Sequence, residues 1–137
     1  MVSLGCGRQY GVCIEGAYIV TEMAEFSTNY YQLLEYRHGP IVTAGPGTYV
    51  FILSAEGAEA FEMAMAHEAE QAGAVIVVVS ARPVPYGQIA LCLDHHYPKE
   101  IVALHYVFCM QSVAFHYSVR RGKNPDRPGN LIPYIEL

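Results

Sequence analysis

The sequence is short of charge: only 15% of its 137 residues are Asp, Glu, Lys or Arg, against about 25% in an ordinary soluble domain. That shortage implies that part of the folded surface is covered, as in an obligate oligomer. Positive charge is the scarcer sign, with eight Lys and Arg against thirteen Asp and Glu, and the net charge is −5. Non-specific nucleic-acid binding needs clustered cations to displace phosphate counterions, and the one basic cluster, Arg120, Arg121 and Lys123, is too short for it. Long apolar runs are missing as well. Stretches such as Ala72–Ala81 fall well short of the ~20 residues that span a bilayer, so no membrane partner is expected. The start shows no charged segment leading into an apolar one, and no signal peptide is legible. The four cysteines, Cys6, Cys13, Cys92 and Cys109, lack C-x-x-C spacing and disulfide density. They read as reduced thiols, with a cytoplasmic location as the default expectation.

What is present is apolar sequence with the rhythm of an open α/β sheet. Hydrophobic residues make up 53% of a chain about the size of one domain. Val2–Leu4 reads as a short buried strand running into Gly5-Cys6-Gly7, whose glycines permit a tight turn and close backbone approach. Tyr10 to Ala24 then carries Val12, Ala17, Val20 and Met23 near helical spacing. Ser27–Arg37 reads as a connector rich in Tyr and Leu, and Pro40 sets a boundary at Gly39. Tyr49–Leu53 is a second strand, Ala55 to Gln71 a helix closed by Gly73, and Ala74–Val79 a central parallel strand covered on both faces. Ile89–Leu93 is a weaker strand, and Lys99 to Val119 a long apolar helix that must be buried or lie in an interface. The tail beyond Gly122, with Pro125, Pro128 and Pro133, is expected to be extended. The fold class is α/β, a three-layer α/β/α sandwich with a mainly parallel central sheet, formed by residues 1–137 as one domain.

Three segments resemble the sugar-isomerase (SIS) domain family, specifically the C-terminal lobe of glucosamine-6-phosphate synthase and of the phosphoaminosugar isomerase-deaminases. Leu4-Gly5-Cys6-Gly7-Arg8-Gln9-Tyr10, with Ile14-Glu15-Gly16-Ala17 and Glu22, is similar to the family's strand, G-x-G turn and L-E-G-A-L-K-x-x-E helix. Tyr36-Arg37-His38-Gly39-Pro40 is similar to its H-G-P segment. The run from Arg121 through Asp126 and Pro128 to Leu131 is similar to its R-G-x-x-x-D-x-P-R-N-L tail.

The resemblance implies a phosphosugar ligand and a reaction that isomerises, transaminates or deaminates hexose or hexosamine 6-phosphates. Glu22 then matches the base that moves a proton between C1 and C2, and His38 the group that assists ring opening across a dimer interface. Gly5, Gly7, Arg8 and Glu15 are the implied substrate contacts. Glu15 and Glu22 are seven apart and share one helical stripe. Without the resemblance, both read as solvated acids of a helix face, and the alternative for His38 is a loop histidine that helps to fix a turn.

Several positions depart from the family. Ile19 stands where the transaminases carry a lysine, and Asn130-Leu131-Ile132-Pro133 replaces the tail bearing the imine-forming lysine. A lysine-dependent imine mechanism is therefore not expected. The loop Ser54-Ala55-Glu56-Gly57-Ala58-Glu59 stands where a Ser/Thr-rich phosphate loop would lie, and its carboxylates repel an anion. Met1 begins almost on the first strand, without the preceding helix of a complete SIS domain, so the chain reads as the C-terminal-type lobe of a two-lobe protein or as one lobe of a homodimer. Asp94-His95-His96, His105 and His116 invite a metal reading, but the last two are eleven residues apart, about 16 Å along a helix, and cannot share an ion. No metal and no cofactor is expected. The alternatives are a non-catalytic SIS sensor or dimerisation module and a fructosamine-phosphate deglycase lobe.

Overall fold

The computed structural model describes residues 1–92, 99–129 and 132, with the helix through residues 99–102 given by its backbone. In chain order the elements are β1 (Val2–Gly5), α1 (Arg8–Ala24), β2 (Asn29–Gln32), α2 (Leu33–Tyr36), a 3-10 turn (Pro40–Thr43), β3 (Tyr49–Leu53), α3 (Glu59–Gln71), β4 (Val75–Ser80), β5 (Ile89–Cys92) and α4 (Lys99–Arg120). The five strands form one sheet in the order β2-β1-β3-β4-β5, and every pairing is parallel.

Strand side chains alternate between faces, and the two cores separate accordingly. Val2, Leu4, Val50, Ile52, Ile76 and Val78 meet Leu33 and Tyr36 of α2 and Met65, Ala66 and Ala69 of α3. Phe51, Leu53, Val77 and Val79 meet Cys13, Val20 and Ala24 of α1 and Tyr106, Met110 and Ala114 of α4. Helices thus cover both faces, giving the three-layer architecture that the continuous apolar run of β4 implies. The order reverses between β1 and β3, the switch point at which such sheets take ligands beyond the strands' carboxyl ends.

Three expectations are corrected. The Tyr-rich segment is not a plain connector: Asn29–Gln32 is an edge strand and Leu33–Tyr36 a helical turn. Tyr30 meets Tyr10 and Tyr18 of α1 with ring centroids 6.3 and 5.9 Å away, while Tyr31 packs on Tyr36 on the other face at 5.4 Å. The third helix begins at Glu59 rather than Ala55, because Glu56 and Gly57 form a turn first. The tail is not extended over its described part. Asn124 accepts a hydrogen bond from the Asp126 N–H on its side chain at 3.0 Å and one from the Arg127 N–H on its carbonyl at 3.1 Å, folding 124–127 into a turn.

Candidate functional site

Helix α1 turns Cys13, Gly16, Ala17, Val20 and Ala24 inward, so the opposite stripe, including Glu15 and Glu22, faces solvent. Neither carboxylate makes a side-chain hydrogen bond or ion pair among the described residues. Ile19, at the position where the resemblance would put a lysine, is half-buried against the α1–α4 core. Gly16 lets α4 come close: a Cβ there would lie 2.6 Å from Cγ of the fully buried Met110. Gly5 is buried at the end of β1, where a Cβ would meet the Gln9 backbone at 2.8 Å. Gly7 caps α1 at φ 55 with open space around it, and Arg8 is exposed in the first turn of α1. Gly7 and Arg8 thus lie at the carboxyl edge of the sheet.

Glu22 does not lie there. A helix that follows a parallel strand runs back along the sheet, and Glu22 is fourteen residues after Arg8, about 21 Å down the axis. His38 is exposed just past α2, its N–H bonded to the Glu35 carbonyl at 3.0 Å, on the face of the sheet opposite α1. Its neighbour Arg37 pairs with Glu68, near the end of α3. Within one chain the sheet separates Glu22 from His38, and the two do not converge at its carboxyl edge.

The carboxyl edge is occupied instead by a cluster that the motifs did not reveal. Glu62 is 1% exposed. Its carboxylate accepts hydrogen bonds from the Ser54 hydroxyl at 2.7 Å, the Ala55 N–H at 2.7 Å and the Tyr86 hydroxyl at 2.5 Å. The Tyr106 hydroxyl donates to the Ser54 carbonyl at 3.2 Å. Burial pushes the Tyr106 phenol up to about 12. Burial and then the hydrogen bond to Glu62 raise Tyr86 further. Burial also raises the Cys6 thiol, with the Glu62 charge adding to it. Glu59 pairs with Arg82 at 3.0 Å across the same edge. The sequence held one signal: Glu62 falls on the stripe of Met65, Ala66 and Ala69 that α3 buries, and an acid on a core stripe calls for partners.

Chemically, this loop is an anion cradle already filled. The N–H and hydroxyl that would hold a phosphate beyond β3 hold a carboxylate of the same chain. No group of three or more His, Cys, Asp or Glu residues among the described residues is placed to bind a metal ion. The Asp94-His95-His96 run lies outside the described residues. No helix among the described residues is long and apolar enough to cross a membrane.

Comparison with known proteins agrees with this architecture. The profile of the SIS domain matches residues 1–119. The glutamine–fructose-6-phosphate aminotransferase (isomerizing) of Pyrococcus horikoshii is 30% identical over 138 residues, covering 98% of this chain and 23% of that protein. The counterpart from Methanothermobacter thermautotrophicus is also 30% identical, over 139 residues. The chain therefore spans about a quarter of the length of these relatives. Among solved structures, glucosamine-6-phosphate deaminase from Thermotoga maritima superposes with a TM-score of 0.78 at 30% identity, over 96% of this chain and 38% of that one. Tagatose-6-phosphate ketose/aldose isomerase from Escherichia coli gives a TM-score of 0.82 at 22% identity, over 99% and 40% of the two chains, a likeness of fold. The strand order, the two-sided helical cover and the matched length together make this chain a member of the SIS domain family.

Proposed function

We propose that this chain, as one SIS domain over residues 1–137, is a phosphosugar-binding lobe of an aldose–ketose isomerase, aminotransferase or deaminase acting on hexose or hexosamine 6-phosphates in the cytoplasm. The observation that carries this reading is Glu22, an exposed carboxylate with no partner among the described residues, on a helix of a chain that aligns over 98% of its own length with 23% of an aminotransferase. As a general base, Glu22 would take a proton from C1 of the open-chain ketose and return it to C2, while the proton on O1 passes to O2. Because the sheet separates Glu22 from His38, the imidazole that assists ring opening would come from a second subunit or a second SIS lobe. Glu15, two turns before Glu22 on the same stripe, would contact the same sugar. Gly7 and Arg8, about 21 Å from Glu22 along the helix, are too far away to touch it and would contact a ligand only at the carboxyl edge. Gly5 is buried, so its part is to let the turn form.

The test is kinetic. In the intact protein that carries this chain, Glu22→Gln should lower kcat for fructose 6-phosphate turnover by roughly 10²–10⁴-fold, the usual contribution of a positioned acid or base, with the fold unchanged by circular dichroism. Unchanged turnover would remove Glu22 from the reaction.

A second reading, a non-catalytic sensor or dimerisation module, is favoured by Ile19 packed into the core and by the filled cradle at Glu62. Tight binding of fructose 6-phosphate without turnover in the same intact protein would select it.

A further inference from the structure

Between the two exposed carboxylates of α1 lies a tyrosine that the proposed function leaves unused. With 3.6 residues per turn, Tyr18 stands about 4.5 Å along the axis from Glu15 and about 6 Å from Glu22, and the three fall within an arc of about 60°. Tyr18 is 51% exposed, yet it is held in place. Tyr30 of β2 meets both Tyr10 and Tyr18, and the hydroxyls of Tyr18 and Tyr30 lie 3.5 Å apart. A ring braced along its body and at its tip gives up little freedom when a ligand settles on it. The L-E-G-A-L-K motif that α1 resembles has leucine at this position, so the helix itself does not require an aromatic ring.

The position decides what the ring meets. Residues three and four apart are neighbours on a helix surface, so Tyr18 adjoins both carboxylates. A ligand that touches Glu15 and Glu22 together spans about 10.5 Å of the helix, and Tyr18 lies beneath it. The carbon chain of a hexose presents C–H groups of slight positive charge, and the face of an aromatic ring is negative. We propose that Tyr18, braced by Tyr30, is the platform on which the sugar rests while Glu22 acts, and so sets the affinity for the sugar portion of the ligand. The phosphate takes no part in this contact, in keeping with a chain whose carboxyl edge is closed by Glu62. The platform rests on the proposed function, because contact with both Glu15 and Glu22 is what places the ligand over Tyr18.

Calorimetric titration of fructose 6-phosphate into the intact protein that carries this chain tests it. Tyr18→Leu, which places the motif's leucine there and suits a helix, should weaken binding about tenfold. Tyr18→Phe, which keeps the ring, should recover most of that loss. Affinity for inorganic phosphate, measured by competition, should be the same in Tyr18→Leu as in the wild type. Equal affinity for fructose 6-phosphate in Tyr18→Leu and the wild type would overturn the proposal. So would a parallel loss of phosphate affinity, which marks a disturbed fold, or a Tyr18→Phe variant as weak as Tyr18→Leu. The base is judged separately, by kcat of Glu22→Gln, so either can fail alone. A wild type that binds no fructose 6-phosphate would remove the phosphosugar reading and the platform together.

Discussion

A Cβ on Gly16 would sit 2.6 Å from Cγ and 3.0 Å from Cβ of Met110. Both atoms belong to the root of a fully buried side chain, which cannot swing aside, so α4 itself would have to move. Gly11 lies on the same helix with nothing within 4 Å of its added Cβ. The pair makes a controlled test. Gly16→Ala should lower unfolding stability in urea by about 1–3 kcal/mol, the usual cost of overpacking, while Gly11→Ala should be neutral or gain up to about 1 kcal/mol through helix propensity. Equal effects at the two positions would mean that α1 and α4 are not in close contact. Gly16 is part of the Glu-Gly-Ala motif that pointed to chemistry, yet its own role is to let two helices approach.

At the end of α1 the chain is clamped to its own tail. Glu25, in a left-handed conformation at φ 49, accepts from the Lys123 ammonium and from the Gly129 N–H, the latter at 2.8 Å. The Ser118 hydroxyl adds a bond to the Met23 carbonyl at 3.0 Å. The hydrogen bond from Lys123, then that from Gly129, holds the Glu25 carboxyl below the ordinary glutamate range. A carboxyl depressed on folding stabilises the native state above its unfolded value, near 4.3, and loses that contribution as pH falls through the folded one. Glu25→Gln should therefore lower the urea midpoint at pH 7, and the gap from wild type should close as the pH drops below about 4. A gap that persists in acid would mean that the charge of Glu25 plays no part. The sequence showed Lys123 only within a basic cluster, because a partner ninety-eight positions away leaves no local trace. The same limit hid β2: Asn-Tyr-Tyr-Gln has no β-branched residue, and it is held as a strand by pairing with β1 and by its two tyrosines packing on opposite faces. The strands β1, β3, β4 and β5 and the long helices were legible because their apolar periods are imposed by the layers they occupy.

For the molecule as a whole, the residue types at the candidate site could be read from the sequence, whereas their placement could not. Glu15 and Glu22 do share an exposed stripe, as their spacing requires. Motif order carries no information about which face of a sheet each residue reaches, and the crossover that follows β2 sends His38 away from α1. The crevice between β1 and β3, where open α/β sheets ordinarily take anionic ligands, is closed by Glu62 and bordered by Glu56 and Glu59, in a chain of net charge −5. A phosphate entering there would have to displace a carboxylate held by three donors and approach two further acids. The phosphate of any substrate should therefore be recognised by a neighbouring lobe rather than by this chain. Titrated into this chain alone, fructose and fructose 6-phosphate should raise Tm equally at equal concentration, since stabilisation follows ligand affinity as RT ln(1 + [L]/Kd). A preference for the phosphorylated sugar of tenfold or more, about 1.4 kcal/mol, would show that this chain holds an anion site of its own and that Glu62 gives way to it.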